Sequence, residues 1–168
     1  KKMDSYGGKQ ILFGDFHVHT TFSTDAFWWS LPILGGEGVH PMADACDYAR
    51  YCSSIDFWAI TDHAEASTPR KWQETKDSIR QCSFKNGSET NDVIPFVGFE
   101  WTQVGPTPEE HYGHKNVIFK DLEESNLSKR PMGAGGTATN ALRNNTGNLM
   151  PPIVGVLDIL NFQDYSDF

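Results

Sequence analysis

The sequence predicts an α/β protein with parallel strands, and three observations carry that prediction. Short apolar runs alternate with helix-forming segments in the order strand, helix, strand, helix, strand, the grammar of a parallel sheet covered by helices. Residues able to do chemistry recur at the predicted ends of successive strands, namely His17 and His19, Asp62 and His63, and Glu100. In α/β folds active sites gather at the carboxyl ends of the strands. Finally, 168 residues at 38% hydrophobic and 12% aromatic content suit one globular domain, which buries roughly 70% of its extended-chain surface.

The elements follow in order. Ile11 to His19 reads as a short buried strand, with Gly14 marking a close approach or a bend. Residues 20–40 read as irregular, holding Ser23-Thr24-Asp25, the aromatic cluster Phe27-Trp28-Trp29 and a Gly-rich run at 35–38. Pro41 sits at the favoured first position of a helix running to about Ser53, with Ala45, Tyr48, Ala49 and Cys52 on one face. Ile55 to Thr61 is a second strand. Pro69 opens a second helix whose apolar contacts are Trp72, Ile79 and Cys82. After a polar connector at 86–92, Val93 to Thr102 forms a third strand and His114 to Lys120 a fourth, separated by a turn rich in Gly, Pro and acidic residues. Beyond a Gly-rich stretch at 133–136, short helices are expected near 138–144 and 153–160.

Composition narrows the partners. Fourteen Lys and Arg against 22 Asp and Glu give a formal charge of −8, which argues against nucleic acid and anionic membrane surfaces. A phosphate ester stays admissible, because bound divalent ions reverse the local field. No run approaches the ~20 apolar residues of a membrane span. The start, Lys1-Lys2-Met3-Asp4, lacks the apolar stretch of a signal peptide; a processed N-terminus looks the same, so the cytoplasm and the periplasm both stay open. Cys46, Cys52 and Cys82 cannot all pair within one chain and match no Cys-x-x-Cys spacing, so reduced, mostly buried thiols are expected. Sequons at Asn86, Asn126 and Asn144 are too common a pattern to decide the compartment.

The strongest local signal for chemistry is Asp15-Phe16-His17-Val18-His19. Side chains two apart on a strand share a face, so His17 and His19 can offer two imidazoles to one ion, and neutral imidazole suits zinc, manganese and iron. A hydrogen-bonded His pair at a surface edge is an equal reading of His-x-His alone. Asp15 shares their parity and could orient a ligand from behind. Asp62-His63 ends the apolar run Phe57-Trp58-Ala59-Ile60, where two polar groups need partners; an ion pair or cap is the plain alternative. Glu100 stands between Phe99 and Trp101, a costly place for a carboxylate unless it is paired or bound to a metal. Asp25 lies in a stretch able to fold back and hold a second ion. His114 reads equally as a ligand or as a loop histidine meeting solvent. His40 reads as structural, His111 as a loop residue, and the Phe27-Trp28-Trp29 cluster as core or rim packing. The signatures of serine hydrolases, P-loop nucleotide hydrolases, dinucleotide enzymes and His-Glu-x-x-His zinc proteases are absent.

Taken in order, Gly14-Asp-Phe-His-Val-His-Thr20 with Ser23-Thr-Asp25, then Ala59-Ile-Thr-Asp-His63, then Gly98-Phe-Glu100 resemble the PHP superfamily, named for polymerase and histidinol phosphatase domains. The strings Asp56 to Glu65 and His114 to Phe119 resemble one bacterial branch of it, and the resemblance spans residues 11–160. It implies a distorted (βα)7 barrel of parallel strands with helices outside and up to three divalent ions, zinc, manganese or iron, at the strand ends. It implies that His17 and His19 bind the first ion, that Glu100 bridges it to another, and that Asp25 and His63 hold the second, with His114 as a further ligand. Asp62 would orient His63 or help take a proton from water. One departure stands out: the family completes its site with later histidines and an Asp-x-His motif, and no His follows His114 here. The expectation is therefore a single PHP-like domain over residues 1–168 whose barrel is incomplete, the remainder lying beyond Phe168 or on another chain. The expected activity is that of a metal-dependent phosphoesterase acting on a small phosphate ester. Hydrolysis of another ester or an amide with the same ions, or metal binding without turnover, are the competing readings.

Overall fold

The structure is a computed structural model that describes residues 5–6, 8–38, 40–84, 93–103, 107–109 and 112–133. The helices expected near 138–144 and 153–160, the connector at 86–92 and His111 lie outside the described residues. An antiparallel pair, β1 (Ser5–Tyr6) and β2 (Lys9–Gln10), precedes the α/β unit. That unit is a three-stranded parallel sheet in the order β3 (Gly14–Val18), β4 (Phe57–Ile60), β5 (Ile94–Phe96). The α/β class and the parallel pairing are as the sequence predicts; among the described residues the sheet does not close into a barrel.

Between β3 and β4 run a short helix α1 (Thr24–Ser30) and the helix α2 (Met42–Asp47), which continues as a π-helical turn over Tyr48–Cys52. The stretch carrying Asp25 is thus helical rather than irregular. Asp25 lies in the first turn of α1, where a carboxylate meets the positive end of the helix dipole. Pro41 caps α2 instead of opening it. The buried face of α2 and its turn is Met42, Cys46 and Ala49, while Tyr48 and Cys52 are exposed. Of the expected face through Ala45, Tyr48, Ala49 and Cys52, Ala49 is buried and Ala45 packs against the core, while Tyr48 and Cys52 are corrected to the exposed side. The π-helical turn shifts the helical period, and Cys46 is pinned inward because it is disulfide-bonded to Cys82 of α3 (Pro69–Ser83). The expectation of reduced thiols is overturned for that pair; Cys52 alone is free.

Helix α3 behaves as its sequence requires. Pro69 occupies its first turn, and Thr68 caps it by accepting from the Lys71 N–H at 3.2 Å. Trp72, Ile79 and Cys82 enter a core with Trp58, Ile60, Val93, Val97 and Phe99. The Trp72 indole N–H donates to the Ser128 carbonyl at 3.0 Å, and buried Lys76 pairs with Glu124. These bonds fasten the 121–128 segment over the helix.

Two expected strands take another form. Ile11–Val18 is mostly exposed rather than buried, with Phe13 at 67% and Phe16 at 43%; among the described residues β3 has β4 as its only ladder partner. The run 93–102 divides at Val97 into β5, parallel to β4, and β6 (Gly98–Gln103), which pairs antiparallel with β7 (Gly113–Ile118). The fourth strand is therefore antiparallel to its neighbour. A single parallel bridge, His63↔Glu100, joins β6 to the extension of β4. Gly98 lies where backbones cross, since a Cβ there would stand 2.6 Å from the Val117 carbonyl oxygen and 2.9 Å from that of Ile60. Gly14 is likewise crowded against Phe57, the close approach its sequence position predicts.

Two stability predictions follow from these contacts. Replacing Cys82 by Ser opens a 36-residue loop and should cost about 2–5 kcal/mol in denaturant unfolding, whereas Cys52→Ser stays within about 0.5 kcal/mol. Gly98→Ala forces its backbone neighbours apart and should cost about 1–3 kcal/mol; unchanged stability in the same assay would show that the crossing has slack.

Candidate metal centre

The site forms where the ends of β3 and β4 meet the middle of β6. Strand β3 carries one extra residue relative to β4 between Asp15 and Val18, a bulge of the kind that re-aims side chains beside functional sites. Asp15 accepts the His17 N–H at 2.8 Å, so the carboxylate expected to stand behind a ligand holds the bulge through its main chain. Both imidazoles still converge: His17 Nε2 lies 3.3 Å and His19 Nε2 2.9 Å from Glu100 Oε2. Glu100 is third along β6 rather than at a strand end. It reaches the same place because its N–H donates to the Asp62 carbonyl at 3.1 Å, alongside the end of β4.

Glu100 is 3% exposed and is ringed by nitrogen. His63 Nε2 stands 3.6 Å from Oε2, and His114 Nδ1 stands 2.5 Å from Oε1. Asp25 reaches the cluster from α1, with Oδ2 3.3 Å from His63 Nε2 and Oδ1 3.8 Å from His19 Nδ1. The donor atoms fall into three overlapping groups that could each hold an ion, His17 with His19 and Glu100, His19 with Asp25 and His63, and His63 with Glu100 and His114, each within 4.8 Å. Every residue the sequence marked as a ligand is in at least one group. Imidazole nitrogens and carboxylate oxygens form a donor set that fits zinc, manganese or iron, and ligand atoms about 2.1 Å from one ion lie about 3–4 Å apart, as most of these do.

Asp62 is not in these groups. Its two oxygens accept from the Thr20 N–H at 2.6 Å and the Thr20 hydroxyl at 2.7 Å, tying the end of β3 to the end of β4. Burial pushes its carboxyl above the ordinary range, with the two Thr20 bonds opposing. His40 pairs with Asp44 at 3.3 Å and lines the same cavity as His17 and His19, but it is in none of the three donor groups. Trp29 is exposed, and Phe27 and Trp28 are half-buried with their rings in edge contact, which fits rim packing.

Sequence reasoning gave no role to three polar residues that shape the site. Thr20 and Ser23 are buried. The Ser23 hydroxyl lies 2.7 Å from His19 Nδ1 and accepts the His63 N–H at 2.8 Å. Buried Glu65 faces His63 Nδ1 at 3.7 Å, and that nitrogen is buried without a hydrogen-bond partner. Glu65, two residues past His63 in a run of small residues, was the one of the three that the sequence could have flagged as a buried carboxylate.

The electrostatics are those of a coupled cluster. Burial alone would lower the His63 pKa, but the hydrogen bond to Asp25 and the charges of Glu100, Asp25 and Glu65 raise it to about 9. Burial would raise Glu100, yet the His19 hydrogen bond and the charges of His63, His19 and His114 bring it down to about 2. The bond with His63 holds Asp25 well below the usual carboxylate range, against desolvation.

The chain matches no protein-family model, no curated protein and no solved structure. The class defined by fold and site is an α/β protein with a cluster of His, Glu and Asp able to bind metal.

The shifts fix a pH dependence for the metal-free chain. Glu100 is depressed from 4.5, so its contribution to stability is complete above that value and is lost as pH falls toward about 2. His63 is raised from 6.5, so its contribution is complete below 6.5 and is lost as pH rises through about 9. Stability of the metal-free chain should therefore peak between about pH 4.5 and 6.5, and thermal melts across pH would reveal it. A divalent ion must displace the His63 proton, so its affinity should rise up to about pH 9 with proton release, readable by titration calorimetry in two buffers.

Proposed function

We propose that this chain carries the metal-binding part of a hydrolase, and that the bond it cleaves is a phosphate ester. The observation that carries the proposal is the overlap of the three donor groups through His19, His63 and Glu100. Shared ligands are what a site for two or three neighbouring ions requires. The motifs that resemble the PHP superfamily supply the same residues in the same order. In this reading the parallel strands β3, β4 and β5 are part of a (βα)7 PHP-type barrel. The exposure of Ile11, Leu12 and Phe13 before β3 and of Phe16 within it, with β3 paired along one side among the described residues, supports further structure against β3, from the same chain or another. The Cys46–Cys82 disulfide supports an oxidising compartment such as the periplasm.

When bound, divalent ions acidify water and offset charge on phosphoryl oxygens. The chain's own residues hold the geometry for that chemistry. Glu100 presents Oε2 to His17 and His19 and Oε1 to His114, so its carboxylate spans two donor groups and would hold ions in both rather than serve as a free base. His63 and Asp25 face one another across a second group. Asp62, held by Thr20, fixes the main chain from which His63 projects. The acidic balance of the chain favours a small ester over nucleic acid.

A second reading, metal binding without turnover, is favoured by the lack of an Asp-x-His after His114. The two separate on one experiment. Loaded with zinc or manganese and verified by elemental analysis, the chain should bind at least one equivalent and hydrolyse a phosphomonoester. His17→Ala and Glu100→Gln should abolish both uptake and turnover. Full occupancy with no hydrolysis of phosphomonoesters, phosphodiesters, carboxylic esters or amides selects the second reading.

A further inference from the structure

We infer that Ser23 is a positioning residue of the metal site: its hydroxyl sets which nitrogen of His19 faces the ions and ties that ring to the main chain of His63. The inference rests on the metal-site reading and goes beyond its ligand set. Ser23 occupies the N-cap position of α1, where a serine ordinarily turns its oxygen onto the N–H groups of the first helical turn. Here it makes no such bond. Its backbone serves the turn instead, the Ser23 N–H donating to the Thr20 carbonyl at 3.0 Å and the Phe27 N–H donating to the Ser23 carbonyl at 3.0 Å. The side chain, 0% exposed, is left for two other partners, His19 Nδ1 at 2.7 Å and the His63 N–H at 2.8 Å.

A hydroxyl has one proton and two lone pairs. One lone pair of Ser23 takes the His63 N–H. Toward His19 the hydroxyl can either donate to Nδ1 or accept from Nδ1–H, and in both cases Nδ1 is engaged. The ring therefore presents Nε2, 2.9 Å from Glu100 Oε2, to the cluster. With Nδ1 protonated and donating to Ser23, the Nε2 lone pair is free to ligate, the arrangement that a hydrogen bond on the far nitrogen enforces at metal sites. Ser23 also has a coupling effect. His19 is shared by two donor groups and His63 by two, and Ser23 is bonded to both residues. One side chain thus joins the two histidines that adjacent donor groups share. Alanine would leave His19 Nδ1 and the His63 N–H without this partner in a buried place, where an unmade bond is costly.

The test measures zinc affinity by competition with a chromogenic chelator for the unmodified chain, Ser23→Ala and Ser23→Thr. It is paired with nitrogen-15 NMR of the His19 ring in the zinc-loaded unmodified chain, which needs no variant to fold. Ser23→Ala should bind zinc about 10- to 100-fold more weakly, with Ser23→Thr, which keeps the hydroxyl, recovering most of the loss. The unmodified chain should show His19 protonated at Nδ1 and zinc-bound at Nε2. Equal affinity in Ser23→Ala, or zinc on His19 Nδ1, overturns the role of Ser23 while leaving the metal site standing. An unmodified chain that takes up no zinc overturns both.

Discussion

Glu100 is the constraint from which the rest of the site follows. A carboxylate at 3% exposure between Phe99 and Trp101 is tolerable only when its charge is answered, because desolvating an unpaired ion costs several kcal/mol. The answer comes from every element around it: His17 and His19 from the end of β3, His63 from the end of β4, His114 from β7. To bring these together, β6 must leave the parallel sheet at Val97 and lie across the extension of β4, and Gly98 is the residue without a side chain at that crossing. The antiparallel turn-back of β7 then sets His114 against the other oxygen of Glu100. The sheet geometry and the electrostatics are two descriptions of one arrangement.

The same arrangement is one that a divalent ion could occupy. Four imidazoles gathered around one carboxylate, with ring centroids of neighbours 4.9–5.2 Å apart, cannot all be protonated without strong mutual repulsion. His63, its pKa raised to about 9, answers part of the charge of Glu100, and the other rings approach its oxygens through close N···O contacts. The buried Nδ1 of His63 has no hydrogen-bond partner. The added charge of Asp25 and Glu65 makes the surroundings of His63 more negative still. A divalent ion placed among these donors would offset the carboxylates and use imidazole in its neutral form.

Much of this was legible in the sequence, and the limits were physical. The alternation of strand and helix, the Pro69 start, the core side of α3 and the candidacy of His17, His19, His63 and Glu100 could be read because each depends on local pattern: period two in a strand, a proline's fixed φ, a polar group stranded in an apolar run. The bulge in β3 could not, since the extra residue is defined only against its partner strand, and His17 and His19 converge despite it. The division of 93–102 was hidden because Val93 to Phe99 carries no polar side chain, and a continuous apolar stretch does not announce which neighbour each half will pair with. The Cys46–Cys82 bond depends on α2 and α3 packing side by side, which spacing along the chain does not encode. Ser23 stood in a stretch read as irregular; its hydroxyl meets the His63 N–H, forty positions away.

The residues that were hard to read share a function. Thr20, Ser23, Asp15 and Gly98 bear no ligand atoms in the donor groups, yet each fixes a main-chain position from which a ligand projects. Thr20 holds Asp62 and so the end of β4; Ser23 joins His19 to His63; Asp15 stabilises the bulge below His17; Gly98 admits the crossing that delivers Glu100. Placing donor atoms to within about 0.5 Å requires this kind of support, and here it comes from hydrogen bonds of polar side chains in β3 and in the connection that follows it. Ligand identity can be recovered from motif and polarity because chemistry restricts it to a few residue types. The supporting bonds draw on serine, threonine, aspartate and glycine, residues with many other uses, and only the paired strands show which use applies.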